Sequence, residues 1–209
     1  MSGSENELGL ASFEWARSHM PVFTLAEEYV RKKDSGRNLF RGLQLCACLH
    51  VSKETAVLIE SFHSLGIQVK LVAANPLSSQ NDIVAFLKGE GVSIDARSKE
   101  SFEEYKRYIE DAARSEPNLI VDDGGELHVA YSKTNSSSCN GGTDETTSGV
   151  TRLRILDKEG RLRYPVVPVN DAETKHIFDN KYGSGQSAVD GLIRATGILL
   201  SGKCVVVAG

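Results

Sequence analysis

From residue 43 onward the apolar positions of this chain switch repeatedly between two periods. Leu43 to Val51 is a short apolar-rich run ending about His50, and its length suits a strand better than a helix. Ser52 then stands where a helix cap is needed, ahead of a stripe of Leu58, Phe62 and Leu65 that Gly66 closes. Ile67 to Ala74 predicts a second strand. After Asn75-Pro76, a helix capped by Ser79 carries Ile83, Phe86 and Leu87 as far as Gly89. Ser101 and Glu104 make a capping box, since each side chain can satisfy a free backbone N–H of the other's residue. The helix it opens sets Phe102, Tyr105, Ile109 and Ala112 on one face. Asn118 to Val121 predicts a third strand, running into Asp122-Asp123-Gly124-Gly125.

Strands alternating with helices predict an α/β fold, an open and mainly parallel sheet with helices on both faces. Further along, Lys133 to Ser148 reads as a polar loop, and 150 to 169 as a β-hairpin turning at Lys158-Glu159-Gly160. Ser187 to Leu200 reads as a helix stopped by Gly202, and Lys203 to Gly209 as another buried strand. The expected organisation is a domain over 1–185 and a connecting helix plus first strand of a second domain over 186–209. Open α/β sheets bind ligands beyond the carboxyl ends of their strands. His50, Asn75, Asp122 and Asp123 all fall at such ends, which predicts one shared site.

Composition narrows the class. The chain has 209 residues, 40% hydrophobic and 25% charged, the balance of an ordinary globular protein. A net charge of −4 argues against nucleic acid as main partner. The clusters Arg31-Lys32-Lys33 and Arg152, Arg154, Arg161, Arg163 read as solvated faces. The longest apolar run, Cys204 to Ala208, is far shorter than the ~20 residues that span a bilayer. The N-terminus MSGSENELGL lacks the apolar core of a signal peptide, so cytoplasm is the expected location. Cysteines 46, 48, 139 and 204 have no Cys-x-x-Cys spacing; Cys46 and Cys48 share one side of a strand and are expected to be buried as free thiols. No metal site is expected.

Each polar cluster alone has an ordinary structural meaning. His50 could be a hydrogen-bonded strand-end histidine, Asp122-Asp-Gly-Gly125 a turn, Asp144-Glu-Thr-Thr-Ser148 a polar loop, and Lys175 with Asp179 an i,i+4 pair. Their joint order is more specific. The chain carries Gly9-Leu-Ala, Trp15-Ala16, Met20-Pro21, CLHVSKETAVLIE (48–60), NPLSSQND (75–82) and VDDGGEL (121–127). It continues with DETTSGVTRL (144–153), VNDAETKHIFDNKYGSGQS (169–187), DGLIRAT (190–196) and SGKCVVVAG (201–209). On these runs it resembles the S-adenosylhomocysteine hydrolase (adenosylhomocysteinase) family, along its N-terminal, substrate-binding half.

The resemblance implies reversible hydrolysis of S-adenosylhomocysteine to adenosine and homocysteine. In the family a tightly held NAD oxidises the ribose 3′-hydroxyl, which acidifies the C4′ hydrogen. Homocysteine leaves, water adds, and the ketone is reduced back. Lys175 would then accept the 3′-hydroxyl proton, with Asn180 orienting it, and Glu145 and Asp179 would hold the ribose hydroxyls. Asp123 and His50 are candidates for C4′ proton abstraction and for proton transfer at sulfur and water, in a division left open. Ser52 and Glu54 would contact the adenine, and Thr146, Thr147, Ser148 and Asn180 the NAD. The family is usually a homotetramer.

Four positions depart from the family pattern: Ser148 and Ser52 for threonines, Glu126 for an aspartate, and Ser184 at a variable position. Lys203 to Gly209 resembles the first strand of an NAD-binding Rossmann domain, cut at the first glycine of G-x-G-x-x-G. A piece of an active hydrolase, itself inactive, is therefore one expectation; a shortened non-catalytic paralogue that binds nucleosides or regulates the full-length enzyme is the alternative. A metal-dependent nucleosidase using His50 and the aspartates lacks a ligand pair at metal spacing.

Overall fold

The structure, a computed structural model, describes residues 3–207. It divides into two units, Met1–Pro168 and Val169–Gly209. The first begins with two helices that the sequence reading did not identify, α1 (Gly3–Ser18) and α2 (Pro21–Asp34). Then follow β1 (Gln44–Leu49), α3 (Lys53–Ser64), β2 (Gln68–Ala73), α4 (Asn81–Gly89), β3 (Ser93–Asp95) and α5 (Phe102–Arg114). β4 (Leu119–Asp122), α6 (Glu126–Ser132), β5 (Gly141–Asp144), α7 (Thr147–Lys158) and β6 (Val166–Pro168) complete it. The second unit holds a 3₁₀ turn at Val169–Asp171, α8 (Glu173–His176), a π-helical turn at Asp179–Gly183 and α9 (Ser184–Thr196). No described helix is long and apolar enough to cross a membrane.

The six strands form one open, all-parallel sheet in the order β3-β2-β1-β4-β5-β6. β1 is buried from Leu45 to Leu49, as a strand covered on both faces must be. Leu45, Ala47 and Leu49 point to one face and join Val69, Leu71 and Ala73 against α3 and α4, with Phe13 of α1 packed alongside. Cys46, Cys48 and Ile120 point to the other and meet Tyr105, Ile109 and Ala112 of α5 and Leu127 and Tyr131 of α6. The expected fold class is thus the observed one, and Cys46 and Cys48 are buried free thiols. Gly9 lets α1 lie directly on α4, since a Cβ there would stand 2.2 Å from the Asp82 carbonyl oxygen.

Several local expectations are corrected. Residues 150–169 form no hairpin: Val150, Leu153 and Leu156 recur at helical spacing on the buried side of α7, and Lys158-Glu159-Gly160 is its C-terminal stop. Val166–Pro168 instead pairs in parallel with β5. The polar stretch 133–148 contains β5, a glycine-rich strand without the usual apolar residues. A Cβ on Gly142 would come within 2.6 Å of the His128 ring, so close packing selects glycine over a strand former there. Gln80, not Ser79, precedes the first turn of α4, and the Ser79 hydroxyl is buried with no hydrogen-bond partner. Phe102 is exposed beside Lys106 rather than on the buried face of α5. The helix expected over 187–200 runs over Ser184–Thr196 and stops at Gly197 in the left-handed region. Residues 203–207 form no strand and are exposed, because no neighbouring strand hydrogen-bonds to them; 208–209 lie outside the described residues.

Candidate functional site

β1 and β4 are neighbours in the middle of the sheet, but the chain leaves β1 toward β2 on one side and β4 toward β5 on the other. Their carboxyl ends therefore open a crevice at the point where strand order reverses. His50 follows β1 and Asp123 follows β4, and the His50 Nε2 lies 3.3 Å from Asp123 Oδ2. Asp123 also shares a side-chain hydrogen bond with Glu145, the residue after β5. Burial pushes the Asp123 carboxyl above its usual range, while His50 and the Glu145 bond pull it back. Three separate strand ends thus deliver one histidine and two carboxyls to one place.

The support beneath this cluster is built into the strands. Cys48, Asp122 and Asp144 stand in register across β1, β4 and β5. Buried Asp122 accepts the Asp123 N–H at 2.9 Å and the His128 N–H at 3.0 Å, fixing both the turn and the start of α6. Burial raises its carboxyl to about 6. Gly124 and Gly125 both have positive φ, and a Cβ on Gly125 would meet Gly149 Cα at 3.1 Å. Asp122-Asp-Gly-Gly125 is therefore a turn and part of the candidate site at once.

Around this centre, His50 Nδ1 lies 2.7 Å from the Ser78 hydroxyl. Ser52 caps α3 by accepting from the Thr55 N–H, and Glu54 is exposed on the first turn of that helix. Thr146 caps α7: its hydroxyl donates to Asp144 Oδ1 at 3.0 Å and accepts from the Gly149 N–H at 3.0 Å. With that hydroxyl committed, Thr147 and Ser148 are the exposed hydroxyl-bearing residues of the first turn. Glu126, one of the departures, pairs with Arg152.

The second unit gathers Lys175, Asp179 and Asn180. Lys175 Nζ donates to Asn180 Oδ1 at 2.8 Å and to Asn170 Oδ1 at 3.3 Å, and lies 3.5 Å from Asp179 Oδ2. The Asn180 amide donates in turn to Asn170 Oδ1 at 3.1 Å and to His176 Nδ1 at 3.0 Å. The π-helical turn lets Asp179 and Asn180 both face Lys175, and such turns recur at functional sites. Gly183 follows closely, where a Cβ would come within 2.6 Å of Asp179 Oδ1.

One cluster among the described residues has the spacing to hold a metal ion: Asp122, His128 and Asp144, all buried. Its histidine is already used on both sides, with Nε2 on the Thr143 carbonyl at 3.1 Å and Nδ1 on the Tyr164 hydroxyl at 2.8 Å. Burial lowers that ring's affinity for a proton. The group reads as an interior hydrogen-bonded network supporting the strand ends, with Asp144 Oδ2 left without a hydrogen-bond partner.

A family model described as S-adenosyl-L-homocysteine hydrolase matches residues 3–136 and 128–200. The chain belongs to the S-adenosyl-L-homocysteine hydrolase family. It is 48% identical to an adenosylhomocysteinase of Aeropyrum pernix, over 96% of this chain and 48% of that protein. It is 46% identical to an adenosylhomocysteinase of Saccharolobus solfataricus, over 100% of this chain and 51% of that protein. An S-inosyl-L-homocysteine hydrolase of Methanocaldococcus jannaschii is 40% identical, over 96% of this chain and 48% of that protein. The chain spans about half the length of the curated relatives it matches.

Of the residues that the S-adenosyl-L-homocysteine hydrolase resemblance singles out, the sheet unit joins His50, Asp123 and Glu145, and the helical unit joins Lys175, Asp179 and Asn180. Ser52, Glu54, Thr147 and Ser148 lie on first turns that follow β1 and β5. Sequence reasoning did not single out Ser78, Asp122 or Asn170 by role. For Asp122 a signal existed: the last residue of an apolar strand points inward when the next one reaches the crevice.

Proposed function

We propose that this chain binds the adenosine part of S-adenosyl-L-homocysteine and supplies the acid–base residues for its reversible hydrolysis to adenosine and L-homocysteine. The observation that carries the reading is the His50–Asp123–Glu145 cluster at the switch point of the sheet, in a chain of this family. Glu54 accepts a hydrogen bond from the adenine amino group and Ser52 contacts the ring. Glu145 and Asp179 bind ribose hydroxyls. Lys175, as the neutral amine, takes the 3′-hydroxyl proton, and Asn180 and Asn170 hold its Nζ in place. The His50–Asp123 pair moves the protons of the elimination and water-addition steps.

The residues toward the cofactor fit a nicotinamide dinucleotide in one respect: Thr147 and Ser148 are exposed hydroxyl-bearing residues at the start of α7. When bound, NAD supplies a hydride acceptor for the ribose C3′. Thr147, Ser148 and Asn180 would contact it, and Thr146 would act through the cap. Turnover, a homo-oligomer and a cytoplasmic location belong to the longer protein in this reading, and the 209-residue chain alone forms no adenosine.

Because relatives include proteins named for adenosyl and for inosyl substrates, the base is the discriminating feature. The Glu54 carboxylate can accept from an amino group and would oppose a ring carbonyl. Calorimetric titration of the chain with adenosine and with inosine tests this. Adenosine binding more tightly supports the reading; equal affinity, tighter inosine or no nucleoside binding overturns it.

A further inference from the structure

We propose that Ser78 is a positioning residue that locks His50 in the Nδ1–H tautomer, so that Nε2, the nitrogen facing Asp123, is the one that gains and loses the proton. The inference rests on the acid–base reading of His50 and Asp123, and it settles which atom of the ring carries out the exchange.

A serine hydroxyl has a single proton to give. The Ser78 Oγ contacts two groups, the Asn75 carbonyl oxygen at 3.0 Å and the His50 Nδ1 at 2.7 Å. The carbonyl can only accept, and with the Ser78 proton on Asn75 the Oγ lone pair is left facing the ring. The remaining contact is satisfied when His50 Nδ1–H donates to Oγ. The Nε2 lone pair then meets Asp123 Oδ2 at 3.3 Å through a single proton, held by the Asp123 carboxyl when the ring is neutral and by Nε2 when the carboxyl is ionised. The partner of one ring nitrogen decides the chemistry of the other.

The loop is stiff enough to enforce this. Asn75 closes a turn on itself, its carbonyl accepting the Ser78 N–H at 3.2 Å and its side chain the Leu77 N–H at 2.9 Å. Both ends of the segment are tied to β1 and its extension, Ala74 N–H to the Leu49 carbonyl and Gln80 N–H to the Val51 carbonyl, each at 3.0 Å. Ser52 N–H bonds the His50 carbonyl at 2.9 Å on the other side. The serine and the imidazole are thereby held by one stretch of paired backbone. Pro76 inside the turn removes backbone freedom from the unfolded loop.

Nitrogen-15 NMR of the His50 ring in the 209-residue chain, recorded at a pH where the ring is neutral, reads the tautomer directly. The expected spectrum has the proton on Nδ1. Ser78→Ala is expected to shift the ring to a mixture or to the Nε2–H form, and Ser78→Thr to restore the Nδ1–H form. A wild-type ring with its proton on Nε2 overturns the proposal, and so does a Ser78→Ala ring unchanged from wild type. These outcomes do not depend on nucleoside binding. Failure of adenosine to bind, with the tautomer as expected, would sink the substrate reading and leave the Ser78 assignment standing.

Discussion

His50, Asp123 and Glu145 come from three different strand ends and meet because β1, β4 and β5 lie side by side in the sheet. Lys175, Asn170 and Asn180 come from one stretch of eleven positions and meet because their own side chains hydrogen-bond. The first cluster inherits its geometry from buried strands, so nothing short of disturbing the sheet should misplace it. The second depends on amide and ammonium contacts around short helical turns, with Ile177, Phe178 and Tyr182 exposed nearby. Position and stability are therefore tied together at one cluster and separable at the other.

The sharpest way to break that contrast is Lys175→Ala. In a chimera where residues 1–209 replace the matching half of the Aeropyrum pernix relative, reduction of bound NAD by adenosine should fall on the order of 10²–10⁴-fold, the usual worth of a positioned proton acceptor. The urea midpoint of the sheet unit should not move. A normal absorbance rise on mixing with adenosine would remove Lys175 from the reaction, and a large loss of stability would show that the clusters are not separable.

Gly149→Ala attacks the sheet-mounted cluster instead. Its Cβ would lie 2.2 Å from both Asp144 carboxylate oxygens, one of which is buried without a hydrogen-bond partner. The expected cost is about 3 kcal/mol, at the upper end for overpacking, seen as a lower urea midpoint at unchanged slope. Stability within about 0.5 kcal/mol of wild type would mean that the strand ends yield more easily than the contrast requires.

Asp122 gives the same cluster a pH dependence. Its carboxyl is raised from 3.8 to about 6 by burial. A raised carboxyl means that the folded protein holds the proton more tightly than the unfolded chain. The stabilisation is complete below the unfolded value and is lost as pH rises through about 6. Relative to Asp122→Asn, wild type should lose about 2 kcal/mol of unfolding free energy between about pH 4 and about pH 7. Parallel stability profiles for the two proteins would mean that Asp122 does not titrate in this range.

How legible these regions were in the sequence follows the same division. The strands β1, β2 and β4 and the cap of α5 could be read because apolar runs and the Ser101–Glu104 spacing are local signals. β5 could not, because Gly142 is held to glycine by the His128 ring packed against it and not by strand propensity. The segment 150–169 reads as a hairpin yet folds as α7 because Gly160 ends a helix with the same chemistry that turns a hairpin. For the site, His50, Asp123 and Lys175 were visible as ionisable residues in recognisable runs. Ser78, Asp122 and Asn170 act on other side chains and on backbone, and that geometry exists only once the strand ends are assembled.

The smallest expected effect tests whether stability and geometry in the sheet unit can be moved independently after all. Ser101 accepts the Glu104 N–H at 3.2 Å, and Glu104 Oε2 accepts the Ser101 N–H at 2.8 Å. Ser101→Ala removes one half of this box, and caps of this kind contribute about 1 kcal/mol. The box opens α5, whose Tyr105 hydroxyl bonds the Ala74 carbonyl, one residue before the Asn75 turn that holds Ser78. A loss near 1 kcal/mol should leave nearly all molecules folded, since small domains are stable by about 5–15 kcal/mol. The NMR signature of the His50 ring should then be unchanged while the urea midpoint falls. If the ring signature shifts with the cap, the strand-end cluster is tuned by helix stability from a distance. The sheet would then be a softer mount than its buried strands imply.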